Sequence, residues 1–213
     1  HNQLGDMLCA VPLLRALRAT YPGEHLGELA RPLNCDVLRG ADFLDEVIVY
    51  DKREFLRSPF AVWRFSRALK KRNFDLVLSP STVSMSVTTD VLAFLSRAKR
   101  RIGPGALHGK KNVTDFLYNV RVDLDWSRDP TAHQTQRNID LASILVLEDV
   151  SRELTLGLSD EEIAHGREHL DLKRGTHPLV IGFHPGAAKP ANRWDALRAG
   201  STVLQTAASG SSR

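Results

Sequence analysis

The chain is poor in the residues that would mark several classes of function. It has two cysteines in 213 residues. Neither Cys9 nor Cys35 belongs to a Cys-x-x-Cys pair, so there is no redox or thiolate-metal signature. Cys9 lies in an apolar stretch and reads as a small core residue. No apolar run approaches the roughly 20 residues that cross a bilayer, and the first residues show no secretory leader pattern. The expected compartment is the cytoplasm. Neither G-x-x-x-x-G-K-[ST] nor G-x-G-x-x-G occurs, which removes the P-loop and dinucleotide fingerprints. His165 and His169 share a helix face, but no Glu stands between them in an H-E-x-x-H pattern, so no metal site is expected. The net charge is only +4, too weak to argue for nucleic acid. A pI of about 9.3 suits a smaller acidic partner: a nucleotide, a phosphorylated glycolipid or an anionic membrane.

What is present is enough apolar material for a sizeable core, 42% of residues, arranged in alternating periods. Met7 to Tyr21 reads as a helix with Asp6 placed to cap it and Pro12 near its first turns or at a kink. Strands are expected at 25–30, 46–50, 75–79, 101–103, 120–122 and 179–183. Helices are expected at 33–39, 59–72, 84–96, 131–147 and 159–170, the last opened by a Ser159-Asp160-Glu161-Glu162 capping box. Phe60, Trp63 and Phe65 read as core. Strands alternating with helices mean an α/β fold with a doubly wound parallel sheet. The expected division is a Rossmann-like N-terminal domain over 1–172, a linker at 173–178, the start of a second α/β domain at 179–194, and a frayed or non-native tail at 195–213. The chain begins without the strand that a βα turn at Gly5-Asp6 requires.

Two stretches carry candidate chemistry. Leu4-Gly5-Asp6 precedes the first helix. Asp6 there is a general base for a sugar hydroxyl, at the sheet edge where open α/β folds bind ligands, or a plain N-cap. The two roles are compatible, since a helix N-terminus stabilises negative charge. Gly5 allows close backbone approach to substrate or serves a tight turn. Ser81 and Thr82, after a strand, could meet acceptor hydroxyls or cap the next helix. At the other end, strand 179–183 empties into His184-Pro185-Gly186-Ala187-Ala188-Lys189. Gly186, Ala187, Ala188 and Lys189 can form a diphosphate cradle of bare N–H groups and one cation, or an ordinary strand-to-helix loop.

Together these residues resemble one family. Leu4-Gly5-Asp6-Met7-Leu8, Pro12-Leu13-Leu14-Arg15-Ala16-Leu17-Arg18, Tyr21-Pro22, Phe74-Asp75-Leu76-Val77, the helix opening at His133, and 184–194 ending in Asn192-Arg193-Trp194 are similar to glycosyltransferase family 9, the ADP-heptose:lipopolysaccharide heptosyltransferases. The resemblance implies a GT-B architecture, with a nearly complete N-terminal acceptor domain and a truncated C-terminal donor domain. It implies Asp6 as catalytic base and inverting transfer of heptose from ADP-L-glycero-D-manno-heptose to the lipid A–core acceptor. The 186–189 loop would hold the diphosphate, and no metal or other cofactor is implied. Inner-membrane contact is expected of a lipid-linked acceptor, through the basic residues between 97 and 111. Ala187-Ala188 and Asn192 stand where family members often carry Ser or Thr and a second lysine. A fragment of this length is expected to be inactive alone. The alternatives are a transferase for another nucleotide sugar, and a non-catalytic module binding a phosphorylated glycolipid or a protein.

Overall fold

Pro12 decides how the chain starts. A proline ring has no N–H and clashes with the preceding turn, so it is tolerated in the first turn of a helix and not further in. The single helix expected over 7–21 is accordingly two: α1 (Leu4–Leu8) and α2 (Val11–Thr20), broken at Cys9-Ala10, with Pro12 at the start of α2. Asp6 therefore lies inside α1, in its first turn, and is not the cap of a long helix.

The computed structural model describes residues 4–148, 150–174, 184, 186, 187 and 193–195. It divides into two compact units, His1–Ser159 and Asp160–Arg213. In the first unit β1 (Gly27–Ala30) pairs in parallel with β2 (Glu46–Val49). β3 (Leu76–Leu78), β4 (Arg100–Leu107) and β6 (Val120–Leu124) form a second parallel group, with the two-residue β5 (Lys110–Lys111) turned back on β4. The parallel α/β character is as expected, but the strands form two separate sheets. Pro104 stands inside β4, beyond the stretch paired with β3, and the register to β6 shifts between Pro104 and Ala106. The N–H that proline lacks falls on the β3 side of β4, past the last residue paired with β3, so no ladder bond is lost.

The connecting helices are α3 (Lys52–Arg57), α4 (Pro59–Lys71), α5 (Val87–Leu95) and α6 (Gln134–Leu141), with a 3-10 turn at Pro32–Leu38 ended by Gly40 at φ +70°. Ser58, Ser86 and His133 cap α4, α5 and α6 with their side chains. α6 is shorter than the 131–147 expected. Its end at Ala142 leaves Leu145 and Leu147 to pack from a turn. α3 was not expected, because six residues show too little periodicity.

Helix α2 spans the gap between the sheets. Val11 and Leu14 pack with Ala30 and, beside it, Val47 of β1–β2, while Leu13 and Leu17 pack with Ile102 and the Leu76 and Leu78 side chains of β3–β4. On the opposite side Leu29, Ile48, Tyr50, Leu69 and Leu92 form a third cluster. Phe65 joins its edge, but Phe60 and Trp63 do not. They stack on each other at 5.5 Å on the outer face of α4, correcting their expected core placement. In the second unit α7 (Asp160–Arg174) runs through Lys173 and Arg174, the first two residues of the segment read as a linker. The strand expected at 179–183 lies outside the described residues, as does most of the 195–213 tail.

Candidate active site

Open α/β sheets bind ligands beyond the C-terminal ends of their strands. At that end of β3 the chain turns through Ser79, Pro80, Ser81 and Thr82. Asp6 of α1, Ser81 and Thr82 all line one cavity of about 610 Å³. Three sequence candidates from positions about 75 residues apart therefore share one mouth. Asp6 is half-buried there. Gly5 lies in the helical backbone of α1 with open space where a Cβ would project, so no tight turn requires glycine at this position.

The position of α1 is fixed from below by a polar strut that sequence reading missed. Asn138 of α6 is fully buried. Its Nδ2 donates to the Cys9 carbonyl at 3.0 Å, just past the end of α1. Its Oδ1 accepts from the Thr82 hydroxyl at 2.7 Å and from Gln134 Nε2 at 3.1 Å. Gln134 also donates to Thr82 Oγ1. Thr82 thus ties the loop after β3 to α6 and to the helix carrying Asp6, and its hydroxyl is engaged inside the protein. Buried polar groups need such partners, and a satisfied network holds one arrangement. Only the polar residues at 134, 135 and 138, unusual on a helix face that packs inward, could have signalled it. Burial pushes the Cys9 thiol up, in keeping with its reading as an inert core residue.

A second buried network braces the far side of the same half. Asp90, fully buried, accepts from Tyr118 Oη at 2.6 Å, from Asn112 Nδ2 at 3.0 Å and from the Thr114 hydroxyl. Burial, with the neighbouring Asp90 carboxylate, holds the Tyr118 phenol well above its ordinary range. This network is not part of the cavity lining.

The basic residues expected to form one face between 97 and 111 are separated. Arg97 to Arg101 lie at the start of β4, and Lys110 and Lys111 follow its end. An eight-residue strand spans about 26 Å. Lys99 pairs with Asp75 at 2.8 Å, and Arg101 donates to the carbonyls of Leu117 and Ala98. These are structural contacts at the strand ends remote from Asp6.

Of the expected diphosphate loop, Gly186 and Ala187 are described, and Ala188 and Lys189 lie outside the described residues. Arg193 Nε donates to the Ala187 carbonyl at 2.6 Å. Among the described residues no group of three His, Cys, Asp or Glu side chains is arranged to hold a metal ion. No described helix is long and apolar enough to cross a membrane.

No family model matches the chain, and no curated protein matches it by sequence. Solved structures do. A family 9 glycosyl transferase from Veillonella parvula DSM 2008 superposes with a TM-score of 0.69 at 24% identity, over 92% of this chain and 55% of that one. The E. coli heptosyltransferase WaaC, solved with ADP, superposes with a TM-score of 0.62 at 17% identity, over 99% of this chain and 63% of that one. The chain has the fold of these GT-B glycosyltransferases and spans little more than half of their length.

Proposed function

We propose that this chain is the acceptor-side part of an inverting glycosyltransferase, with Asp6 as the catalytic base. The observation that carries the reading is the shared mouth of Asp6 and Ser81 at the C-terminal end of β3, in a fold common to two glycosyltransferase structures. In the proposed reaction the Asp6 carboxylate takes the proton of an acceptor hydroxyl. That oxygen attacks the anomeric carbon of a nucleotide-activated sugar from the side opposite the diphosphate. The bond from that carbon to the diphosphate oxygen breaks, and the nucleoside diphosphate leaves with the electron pair. Ser81 and the open space at Gly5 would meet the acceptor, and Thr82 would act through its strut. Gly186, Ala187, Ala188 and Lys189 would cradle the diphosphate.

The donor we propose is ADP-L-glycero-D-manno-heptose and the acceptor the lipid A–core of lipopolysaccharide. The support is the likeness to a heptosyltransferase solved with ADP and the motifs at 4–8 and 184–194. A lipid-linked acceptor places the protein in the cytoplasm at the inner-membrane surface.

The test is a transfer assay with ADP-heptose and heptose-deficient lipopolysaccharide, on a chain extended to the length of the structures it resembles. Asp6→Asn removes the base and keeps shape. It is expected to lower transfer at least about a hundredfold with the fold unchanged. Equal transfer by both proteins would sink the assignment of Asp6. The 213-residue chain alone is expected to transfer nothing, and turnover by it would overturn the half-enzyme reading.

A further inference from the structure

The Asp6 carboxylate makes no hydrogen bond to the protein among the described residues, so its aim is set by the backbone beneath it. That backbone is weakly determined by its own sequence. α1 has five residues, too few to hold a helix in water unaided. Its one buried side chain is Met7, in the cluster with Leu38 and Phe43. Apolar contact is non-directional, so it fixes the depth of α1 but not its rotation about the helix axis. Directional contact comes from α6. Asn138 Nδ2 donates to the Cys9 carbonyl, and Thr135 hydrogen-bonds with the Cys9 thiol. A carbonyl can only accept, so the amide nitrogen of Asn138 is the atom that faces Cys9. Its oxygen then faces Thr82 and takes the one proton of that hydroxyl. Gln134 donates to both. The donor and acceptor roles of the whole chain of bonds are thus fixed.

We propose that Asn138 is a positioning residue for the Asp6 base, aiming its carboxylate at the acceptor side by holding the end of α1 and the loop after β3 in one register, a role that rests on Asp6 being the base. A fully buried amide is costly unless both its polar atoms are used. Asn138 uses them on two different segments, the one that carries Asp6 and the one that carries Ser81. Leucine would fill the same space and satisfy neither. Residues 79–86 of the loop include no ionisable side chain, so the tie to it runs through the Thr82 hydroxyl and is indifferent to the pH at which the base works. A base must lie within hydrogen-bond reach of the proton it takes. A displacement of about 1 Å costs up to about a hundredfold in rate, so the register of a one-turn helix matters to the reaction even though Asn138 touches no substrate.

The test is Asn138→Asp in the extended chain used for the transfer assay. The substituted carboxylate keeps both acceptor bonds and loses the donor to Cys9. At about pH 8 kcat is expected to fall about tenfold or more with KM changed less than about threefold. When the substituted carboxyl takes a proton it can donate again, so the ratio of wild-type to variant rates is expected to narrow as pH falls. Asp6 and Cys9 on the α1 side, and His133, Arg137 and Asp140 on α6, are common to both proteins and cancel in that ratio. A merely structural lesion in a folded protein leaves the ratio constant. Thr82→Val removes the hydroxyl bond at nearly constant shape and carries the test if Asn138→Asp does not fold. It is expected to lower kcat severalfold, and Thr82→Ser to act as wild type. Wild-type kcat in a folded Asn138→Asp or Thr82→Val protein, or a ratio that does not move with pH, overturns the proposal while Asp6→Asn still abolishes transfer. If Asp6→Asn transfers as wild type does, the base assignment fails first and takes this inference with it. Amide exchange in the 213-residue chain reads the strut apart from activity. The Cys9 and Ala10 amides, bonded to the Gly5 and Met7 carbonyls, are expected to exchange about tenfold faster in Asn138→Asp. Unchanged exchange there overturns the strut whatever the assay gives.

Discussion

Glu28 shares the face of β1 on which Ala30 packs against α2, and it lines the cavity. Burial raises its carboxyl from 4.5 to about 7. A carboxyl raised in the folded state favours the protonated form, so its contribution to stability is complete below pH 4.5. It is lost as pH rises through about 7. The two values correspond to at most about 3 kcal/mol, less where water reaches the cavity. Stability from urea melts is expected to fall between pH 4.5 and 7, and Glu28→Gln to flatten that fall. A wild-type profile that is level across this window would refute the assignment. The sequence offers no sign of this. Glu28 sits in an otherwise ordinary strand, and its burial comes from the tertiary packing around β1, which local pattern does not show. Asp6 is the reverse case. Its motif was readable, whereas its place inside α1 followed from Pro12 and a helix break that periodicity does not resolve.

Elements with strong periodicity were legible, and elements set by single backbone contacts were not. α4 and the strands at 46–49 and 76–78 follow their apolar patterns. The extent of β4 does not, because the expected strand stops at Gly103 and Pro104-Gly105 reads as a loop. The strand continues past Gly103, which lets the Tyr118 ring lie flat against the backbone. A Cβ there would stand 2.2 Å from the ring. Tyr118 cannot retreat, since its hydroxyl is held by Asp90. Gly103→Ala is thus expected to cost about 2–3 kcal/mol in thermal or urea unfolding. It should also speed exchange of the β4 amides bonded to β6. A cost under about 0.5 kcal/mol would show that the Asp90–Tyr118 pairing is looser than described. The strut through Asn138 was hidden for a similar reason. It joins Cys9, Thr82 and Asn138, residues up to 129 positions apart in the chain, and local pattern carries no information on such pairs.

At the scale of the whole molecule, the lipid-linked acceptor proposed above raises the question of which face would meet a membrane. The sequence pointed to the basic residues between 97 and 111, but β4 separates them and ion pairs or carbonyls engage several. Another surface fits better. Leu56, Phe60 and Trp63 are 79%, 64% and 52% exposed on α3 and α4. Arg53, Arg57, Arg64 and Arg67 lie around them, Arg67 against the Trp63 ring and Arg64 paired with Glu54. Exposed aromatic and aliphatic side chains ringed by arginine suit the headgroup layer of an anionic membrane. Each basic residue near such a surface adds about 1 kcal/mol, screened by salt. The chain is therefore expected to sediment with vesicles containing phosphatidylglycerol, less so at high salt, and hardly at all with neutral vesicles. Phe60→Ser with Trp63→Ser should remove most of that binding without unfolding, because neither side chain is in the core. Lys99→Gln with Arg100→Gln should leave it nearly intact. Binding that survives the first pair and disappears with the second would return the membrane face to the start of β4. Equal sedimentation with neutral and anionic vesicles would leave no electrostatic role for either face.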